Sequence, residues 1–301
     1  MRAVQPATTV SAPAWRASLG AYVNLMKPHV TVLLLGTTLA AMVVAAGGMP
    51  APWLTVATLL GGALAAGSAN ALNCYWDRDI DQVMSRTARR SLPARRVPAS
   101  HALVFGLGLG AASFAILYRF VNLLSAVLAL SAILFYVLVY TMWLKRTTPQ
   151  NIVIGGAAGA VPVLVGWAAV TNGIGLAAIW MFMVIFLWTP PHFWALSLLL
   201  KKDYERAHVP MLPVVMGERE THRQIVLYSL LLLAASLVLF ATREMGYFYL
   251  VAAVLLGSGV VVLAVLLAVQ KTLSRARTLF WFSNYYLALL FAAMVIDRVA
   301  R

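Results

Sequence analysis

Long apolar stretches, each about as long as a bilayer is thick, follow one another along this sequence and are separated by shorter polar loops. An α-helix that crosses a membrane needs roughly 20 mainly apolar residues. The pattern predicts helices at residues 30–49, 53–72, 101–118, 122–143, 151–170, 176–199, 224–242, 247–270 and 279–297. We therefore predict an all-α fold, a polytopic membrane bundle of about nine transmembrane helices.

The overall composition agrees with a membrane protein. Of the 301 residues, 62% are hydrophobic and only 11% are charged, whereas soluble domains are about one-quarter charged. The predicted helices use most of the chain, so we expect a single transmembrane domain over residues 21–301. Residues 1–20, which include Pro6, Ser11 and Pro13, lack the order of a signal peptide. We expect them to form a disordered cytoplasmic tail, with a short mitochondrial presequence as the alternative.

The net charge of +14 is distributed unevenly between the two sides of the predicted bundle. If the N-terminus is cytoplasmic, all 23 basic residues lie on the cytoplasmic side except Arg119, Arg243, Arg298 and Arg301. Lys and Arg concentrate in the cytoplasmic loops of membrane proteins. The pattern therefore supports both the helix count and the orientation, and it does not indicate nucleic acid as a partner. The alanine-rich composition favours a bacterial inner membrane over a mitochondrial one.

Carboxylates are scarce, and all but two of the nine lie in two cytoplasmic loops. In the first loop, Asn73, Asp77 and Asp81 are spaced i, i+4 and i+8. If the second helix continues to Asp81, these side chains share one face, and Asp79 points away from it. The C-terminal end of a helix disfavours negative charge, so a positive group must compensate.

Two kinds of compensating charge fit the first loop. One is basic side chains: Arg78 and the arginines within residues 86–90 could compensate the carboxylates through salt bridges at a solvated helix end. The alternative is a divalent cation with a diphosphate, because magnesium prefers one or two carboxylates plus waters and phosphates, and arginine forks bind phosphate. Residues 201–206 repeat the mixture of acids and cations in the second loop. Two such loops facing each other are suited to hold one diphosphate.

Three further features lie within or beside the predicted helices. His192 follows Pro190 and Pro191, about nine residues before the end of its helix, and hence roughly 13 Å inside the membrane. Ionisable residues at this depth are usually functional, but a neutral histidine bonded to a neighbouring helix is the alternative. The small residues of 155–162 are typical of tight helix packing. The single Cys74 excludes an internal disulfide, and we interpret it as a packing residue.

These residues resemble the UbiA superfamily of intramembrane prenyltransferases. Its first signature is Asn-x-x-x-Asp-x-x-x-Asp followed by Arg-Ser/Thr-x-x-Arg. The signature is matched by Asn73, Asp77, Asp81, Arg86, Thr87 and Arg90. More narrowly, the chain resembles the branch that farnesylates haem. That likeness rests on blocks at 27–31, 140–141, 145–156, 191–194 and 203–215.

The resemblance implies that farnesyl diphosphate binds through magnesium to the aspartate loops and that haem b is the second substrate, not a cofactor. It implies a catalytic set of Asn73, Asp77, Asp81 and Asp203, of which Asp77, Asp81 and Asp203 are metal ligands. Substrate contacts are expected from Lys27, Arg86, Arg90, Lys145, Arg146 and Lys202, with His192 on the haem side as ligand or orienting group. The chain departs from the pattern at His29, where many relatives have arginine, and at Lys202, where many have another acid. Asp203 is then the main acidic ligand of the second loop.

Other functions and partners remain open at this point. A UbiA-type enzyme acting on an aromatic acceptor such as 4-hydroxybenzoate shares the aspartate loop. For the small residues 155–162, the alternative to tight helix packing is a smooth wall beside a long prenyl chain. A transporter is expected to have ionisable or broken-helix sites near the midplane and related halves, whereas the charges here lie at helix ends, apart from His192. The resemblance implies membrane lipid, haem A synthase or terminal-oxidase assembly as partners.

Overall fold

A computed structural model of the protein describes residues 14–301. Its helices are α1 (Ala14–Leu25), α2 (Pro28–Ala46), α3 (Pro52–Trp76), α4 (Arg78–Val83), α5 (Ala99–Phe120), α6 (Leu123–Leu134), a π-helix (Phe135–Leu144), α7 (Lys145–Thr147), α8 (Asn151–Thr171), α9 (Leu176–Leu199), α10 (Lys201–Arg206), α11 (Leu212–Val215), α12 (Gly217–Ala241), α13 (Tyr247–Gln270) and α14 (Leu273–Ala300). Within residues 14–301, nine helical segments are long and apolar enough to cross a membrane. The predicted helical membrane fold is confirmed.

The observed helices extend beyond the predicted apolar stretches at their polar ends. Helix α12 begins at Gly217, seven residues before the predicted start at 224, and its first turn contains Glu218 and Glu220. Acidic residues in a first turn are stabilised by the helix dipole. Helix α14 begins at Leu273, with Thr272 accepting a hydrogen bond from the backbone N–H of Arg275 as its N-cap. For α12 and α14 the apolar pattern therefore located the apolar part of the helix and not its full length, whereas α9 and α13 have the predicted bounds.

The N-terminal segment differs from the expected disordered tail. Residues 14–20 of that tail belong to helix α1, and residues 1–13 lie outside the described part of the chain. Ala21 and Leu25 of α1 are buried against Ala71 and Cys74, which agrees with a packing role for the cysteine. Lys27, at φ 50°, turns the chain from α1 into α2. This turn matters for the site, because it aims the Lys27 side chain at the end of α3.

The small residues of α8 have two different environments. A Cβ on Gly155 would collide with the ring of Tyr140, and one on Gly156 would collide with the side chain of Thr189. These two glycines permit close packing of α8 against the π-helix and α9, as the sequence predicted. A Cβ on Gly159 would meet no atom within 4 Å, because this glycine faces open space.

Helix α9 lies at the centre of the bundle. It packs on α8, α12 and α14, and the largest core cluster includes its Met181, Val184 and Trp194. Because α9 is surrounded by other helices, His192 is buried within protein and not turned toward lipid. The C-terminal end of α9 leads through Leu200 into α10, which carries Asp203.

Candidate active site at one end of the bundle

Asn73, Asp77 and Asp81 lie on one buried face, as their spacing predicts. Helix α3 ends at Trp76, and Asp77 joins it to α4. The helical hydrogen-bond ladder nevertheless continues through the junction, because the Asp77 N–H donates to Asn73 O at 2.9 Å and the Asp81 N–H donates to Asp77 O at 2.7 Å. Asp79, by contrast, is exposed.

Asp77 is at the centre of the deepest polar network. Its Oδ2 accepts hydrogen bonds from Asn73 Nδ2 at 2.7 Å and from Lys145 Nζ at 2.5 Å. Asn73 Oδ1 in turn accepts from Lys27 Nζ at 2.9 Å, and burial lowers the pKa of the Lys27 ammonium. This network joins the turn before α2, the end of α3 and the start of α7 around one carboxylate.

The other oxygen of Asp77 is an exception to the usual pairing of buried polar atoms. Asp77 Oδ1 is buried and accepts no hydrogen bond from any residue between 14 and 301. An Arg146 Nη lies 4.0 Å from it, beyond hydrogen-bond distance. An unpaired buried oxygen costs about 1–3 kcal/mol, and more if it is charged. The Oδ1 atom is therefore a position where a ligand would be stabilising.

Arginines cover the remaining carboxylates of the first loop. Arg90 donates to both oxygens of Asp81 at 3.0 Å. Arg146 forms a two-pronged contact with Asp79 at 2.7 and 2.8 Å. The Arg146 hydrogen bond lowers the pKa of Asp79 to about 2. Arg146 uses two nitrogens, which is the bidentate geometry that also suits phosphate, whereas Arg90 reaches both Asp81 oxygens with Nη1 alone.

The second acidic loop contacts the first. Asp203, at the start of α10, is buried, and its Oδ2 accepts a hydrogen bond from Ser85 Oγ at 2.6 Å. Arg206 lies 3.6 Å from the other oxygen. Ile80 of α4 and Tyr204 of α10 share one apolar cluster. The two loops are therefore neighbours in the folded chain, although 118 residues separate Ser85 from Asp203.

The predicted metal ligands do not form a ready-made cage. Among the described residues, no three His, Cys, Asp or Glu side chains converge tightly enough to hold a metal ion. Each carboxylate instead has its own cation, namely Lys145 for Asp77, Arg90 for Asp81 and Arg206 for Asp203. Carboxylates repel one another at short range, so basic groups separate them. Magnesium needs only one or two protein carboxylates when phosphates and waters complete its shell.

The other predicted substrate residues have different environments. Arg86 and Lys202 are exposed and form no ion pair within the described part of the chain. His192 lies apart from the acidic loops, and its Nδ1 is 2.8 Å from Ser283 Oγ of α14. The structure thus brings Lys27 and Lys145 to Asn73 and Asp77, and it places His192 deeper in the bundle.

Sequence reasoning missed several side chains that complete the network. Thr141 Oγ1 accepts a hydrogen bond from Asn73 Nδ2 at 3.1 Å and donates to Tyr136 O at 2.9 Å. That second bond reaches five residues back, which requires the π-helix; such segments are frequent at functional sites. In the sequence, Thr141 stands out only as part of a family block, and Ser85 and Ser283 have no signal of their own. The partners of these two serines are 118 and 91 residues away along the chain.

Comparison with known proteins identifies the family. The UbiA prenyltransferase family model matches residues 34–291. The chain belongs to the UbiA prenyltransferase family. Two relatives named protoheme IX farnesyltransferase are similar over nearly their whole length. One, from Gloeobacter violaceus, is 53% identical over 96% of this chain and 95% of its own. The other, from Symbiobacterium thermophilum, is 55% identical over 92% of this chain and 93% of its own.

Solved structures of the family share the fold. A digeranylgeranylglyceryl phosphate synthase has a TM-score of 0.78 at 16% identity, covering 94% of this chain and 99% of that one. A UbiA homolog from Archaeoglobus fulgidus, bound to DMAPP and Mg²⁺, has a TM-score of 0.62 at 14% identity, covering 90% and 99%. At this identity the likeness establishes the fold alone. Family membership and the nine apolar helices together make the protein a multi-pass membrane prenyltransferase.

Proposed function

We propose that this protein transfers the farnesyl group of farnesyl diphosphate to a vinyl group of haem b, with addition of water, giving haem O and diphosphate. The observation that carries the diphosphate half of the proposal is the buried, unpaired Oδ1 of Asp77 within a cluster of lysines and arginines. The acceptor half is supported by the name and more than 50% identity of the relatives from Gloeobacter violaceus and Symbiobacterium thermophilum. No contact among the described residues favours an aromatic acceptor or a transport function.

The residues of the first loop fit a magnesium ion. Asp77 Oδ1 is buried and accepts no hydrogen bond from the described residues, and magnesium prefers carboxylate oxygens. We assign Asp77 and Asp81 as ligands from the first loop and Asp203 from the second, with Asn73 orienting Asp77 through its 2.7 Å hydrogen bond. A magnesium ion bound there with the diphosphate would supply a Lewis acid that stabilises charge on the leaving group.

Basic side chains of the same cluster are suited to the phosphate oxygens. Lys145 and Arg90 pair with Asp77 and Asp81 in the structure, and they would be free to contact phosphate oxygens if those carboxylates held a magnesium ion. Arg146 is held by Asp79 with its guanidinium beside Asp77. Further diphosphate contacts come from Lys27, Arg86 and Lys202. Arginine and lysine groups that face the developing negative charge lower the barrier to ionisation.

The reaction itself needs no nucleophile from the protein. The allylic C–O bond of farnesyl diphosphate breaks, and its electron pair leaves with diphosphate. The vinyl π electrons of haem b form the new C–C bond, and water adds to the resulting cation and loses a proton. The charged diphosphate requires the polar, cytoplasmic end of the bundle, whereas the farnesyl chain and porphyrin are apolar and partition among the helices. His192, buried in α9 below the loops, belongs to the haem side.

The remaining assignments concern the cellular setting. We propose that the chain lies in a bacterial inner membrane with its N-terminus cytoplasmic, because the acidic loops and most basic residues then share the cytoplasmic side. Residues 21–301 act as one catalytic domain. Haem O is too apolar to diffuse freely through water, so membrane proteins such as haem A synthase or terminal-oxidase assembly factors are suitable recipients.

The test is a turnover assay with purified protein in detergent. Haem b, farnesyl diphosphate and magnesium are supplied, and extracted haem is analysed by chromatography and mass spectrometry. The expected product is a more apolar haem with the mass increment of farnesyl plus water, formed only when magnesium is present. Unchanged haem together with prenylation of a phenolic acid would overturn the acceptor and leave the enzyme class intact.

A further inference from the structure

Ser283 of α14 is the residue that holds the edge of the His192 ring. Its Oγ lies 2.8 Å from His192 Nδ1. The same Oγ donates a hydrogen bond to the Phe280 carbonyl at 2.8 Å. The backbone carbonyl of Ser283 also accepts from Trp188 Nε1 at 2.7 Å. One residue of α14 therefore fixes two neighbouring side chains of α9.

The position of the ring proton follows from counting donors. Ser283 Oγ is within hydrogen-bond distance of both the Phe280 carbonyl and His192 Nδ1, but a serine hydroxyl has only one proton to donate. A carbonyl oxygen can only accept, so both hydrogen bonds form together only when the hydroxyl donates to Phe280 and Nδ1 carries the ring proton. In a neutral imidazole the other nitrogen then has a free lone pair. His192 makes no ion pair with any carboxylate in the described chain, and its charged form has nothing to stabilise it there.

The remaining surfaces of the imidazole are almost all covered. Trp188 stacks on it with a centroid distance of 4.3 Å, and Phe280 stacks at 4.7 Å. The Phe193 ring meets it edge-on at 5.2 Å. Only 7% of His192 is exposed. Its Nε2 has no hydrogen-bond partner between residues 14 and 301. Nε2 nevertheless keeps some accessible surface, because it is not one of the fully buried side-chain atoms that lack a partner. The ring therefore presents a single accessible polar atom, Nε2.

We propose that Ser283 is a positioning residue that keeps His192 as the Nδ1–H tautomer, so that Nε2 binds the iron of the haem acceptor. This inference rests on the proposed function. An unpaired nitrogen in an apolar interior is costly, and a substrate with an open metal coordination position relieves that cost. Neutral imidazole is a common metal ligand, and a hydrogen bond to its other nitrogen selects which nitrogen binds.

Such an axial bond would have a clear use in the reaction. The porphyrin is largely symmetric in its apolar contacts, so packing alone defines the position of its reactive vinyl group poorly. A single directional bond from a ring held on both faces fixes the iron relative to α9. Haem bound in this way has a defined depth below the diphosphate site.

The experiment is a haem b titration of the purified full-length protein without farnesyl diphosphate, followed by visible absorption and electron paramagnetic resonance. The wild type is expected to show imidazole ligation. His192→Ala should lose that signature and regain it with added imidazole. Ser283→Ala should weaken haem binding by about 10- to 100-fold, the range for lost ligand-orienting groups. Ser283→Thr, which keeps the hydroxyl, should stay close to wild type.

Ser229→Ala is the matched control. Ser229 is also a buried helical serine, but its Oγ contacts only the Ile225 carbonyl of its own helix. Its removal should leave the haem spectrum and affinity unchanged. A His192→Ala protein that binds haem with the wild-type spectrum, or a Ser283→Ala protein with unchanged affinity, would overturn the inference.

The turnover assay separates this inference from the proposed function. If the wild type makes haem O while His192→Ala keeps the wild-type spectrum, farnesyl transfer stands and iron ligation is wrong. If imidazole ligation depends on His192 but no farnesylated haem is formed by the wild type, ligation stands and the proposed reaction is wrong. Imidazole rescue shows that the His192→Ala protein has retained its haem pocket.

Discussion

Lys145 Nζ lies 2.5 Å from Asp77 Oδ2, where the carboxylate is buried and the lysine is half-buried. The pair joins two helical segments that are 68 residues apart in sequence. Burying two charges is favourable only when each has a partner. This contact therefore holds the Asp77 carboxylate in place, and under the proposed function the two groups would bind magnesium and the diphosphate.

Replacing Asp77 by asparagine is expected to reduce turnover at least about 100-fold, the effect typical of losing one group that stabilises transition-state charge. The amide retains the size of the side chain and a hydrogen-bonding oxygen but removes the negative charge that attracts magnesium. Turnover is measured with haem b and farnesyl diphosphate at saturating magnesium. Glu205→Gln, an exposed acid of the second loop, is the matched control and should remain active. Full activity of Asp77→Asn would exclude Asp77 as a metal ligand.

Removing Lys145 should destabilise the protein when magnesium is absent. Lys145→Ala leaves Asp77 as a buried carboxylate without its closest cation, which costs about 3–5 kcal/mol. Thermal unfolding in detergent should show a lower Tm, and magnesium should recover part of the loss because the ion neutralises the same carboxylate.

The double variant Asp77→Asn with Lys145→Ala serves as the control for this pair. It removes both charges and should be more stable than Lys145→Ala alone, with no response to magnesium. A Tm for Lys145→Ala equal to that of the wild type would show that the pair is not a buried charge pair in solution.

Two glycines of α8 should respond in opposite directions to the same added methyl group. Gly155→Ala places a Cβ inside the Tyr140 ring and should cost about 1–3 kcal/mol through overpacking. It should also lower turnover, because Tyr140 belongs to the π-helix that leads into Lys145. Gly159→Ala meets open space and should stabilise the helix by up to about 1 kcal/mol. The two unfolding midpoints, compared in one detergent, check the prediction, and equal shifts would contradict it.

The Asp79–Arg146 pair predicts a specific dependence of stability on pH. Arg146 lowers the pKa of Asp79 from 3.8 to about 2. A carboxyl with a lowered folded-state pKa contributes stability above its unfolded pKa and loses it as the pH falls through the folded value. The Tm difference between the wild type and Asp79→Asn should therefore be constant from pH 8 to 5 and shrink below about pH 4. A difference that changes near pH 6 would indicate that another group governs the pair.

Local periodicity predicted much of this protein. The length of each apolar stretch located the membrane helices, and the i, i+4, i+8 spacing placed Asn73, Asp77 and Asp81 on one face. Both results follow from the geometry of a single helix, which depends only on neighbouring residues. The expected tail over residues 1–20 was wrong for residues 14–20, because packing of Ala21 and Leu25 on α3 supports a short helix.

Only the tertiary structure decided which groups meet. Lys145 pairs with Asp77, Ser85 holds Asp203, and Ser283 sets the tautomer of His192 across 91 residues of sequence. Each of these contacts depends on how separate helices pack. The position of Lys145 also depends on the π-helix that directly precedes it. Such distances cannot be predicted from composition and spacing along the chain, because helix packing is determined by the fit of all the side chains between the helices.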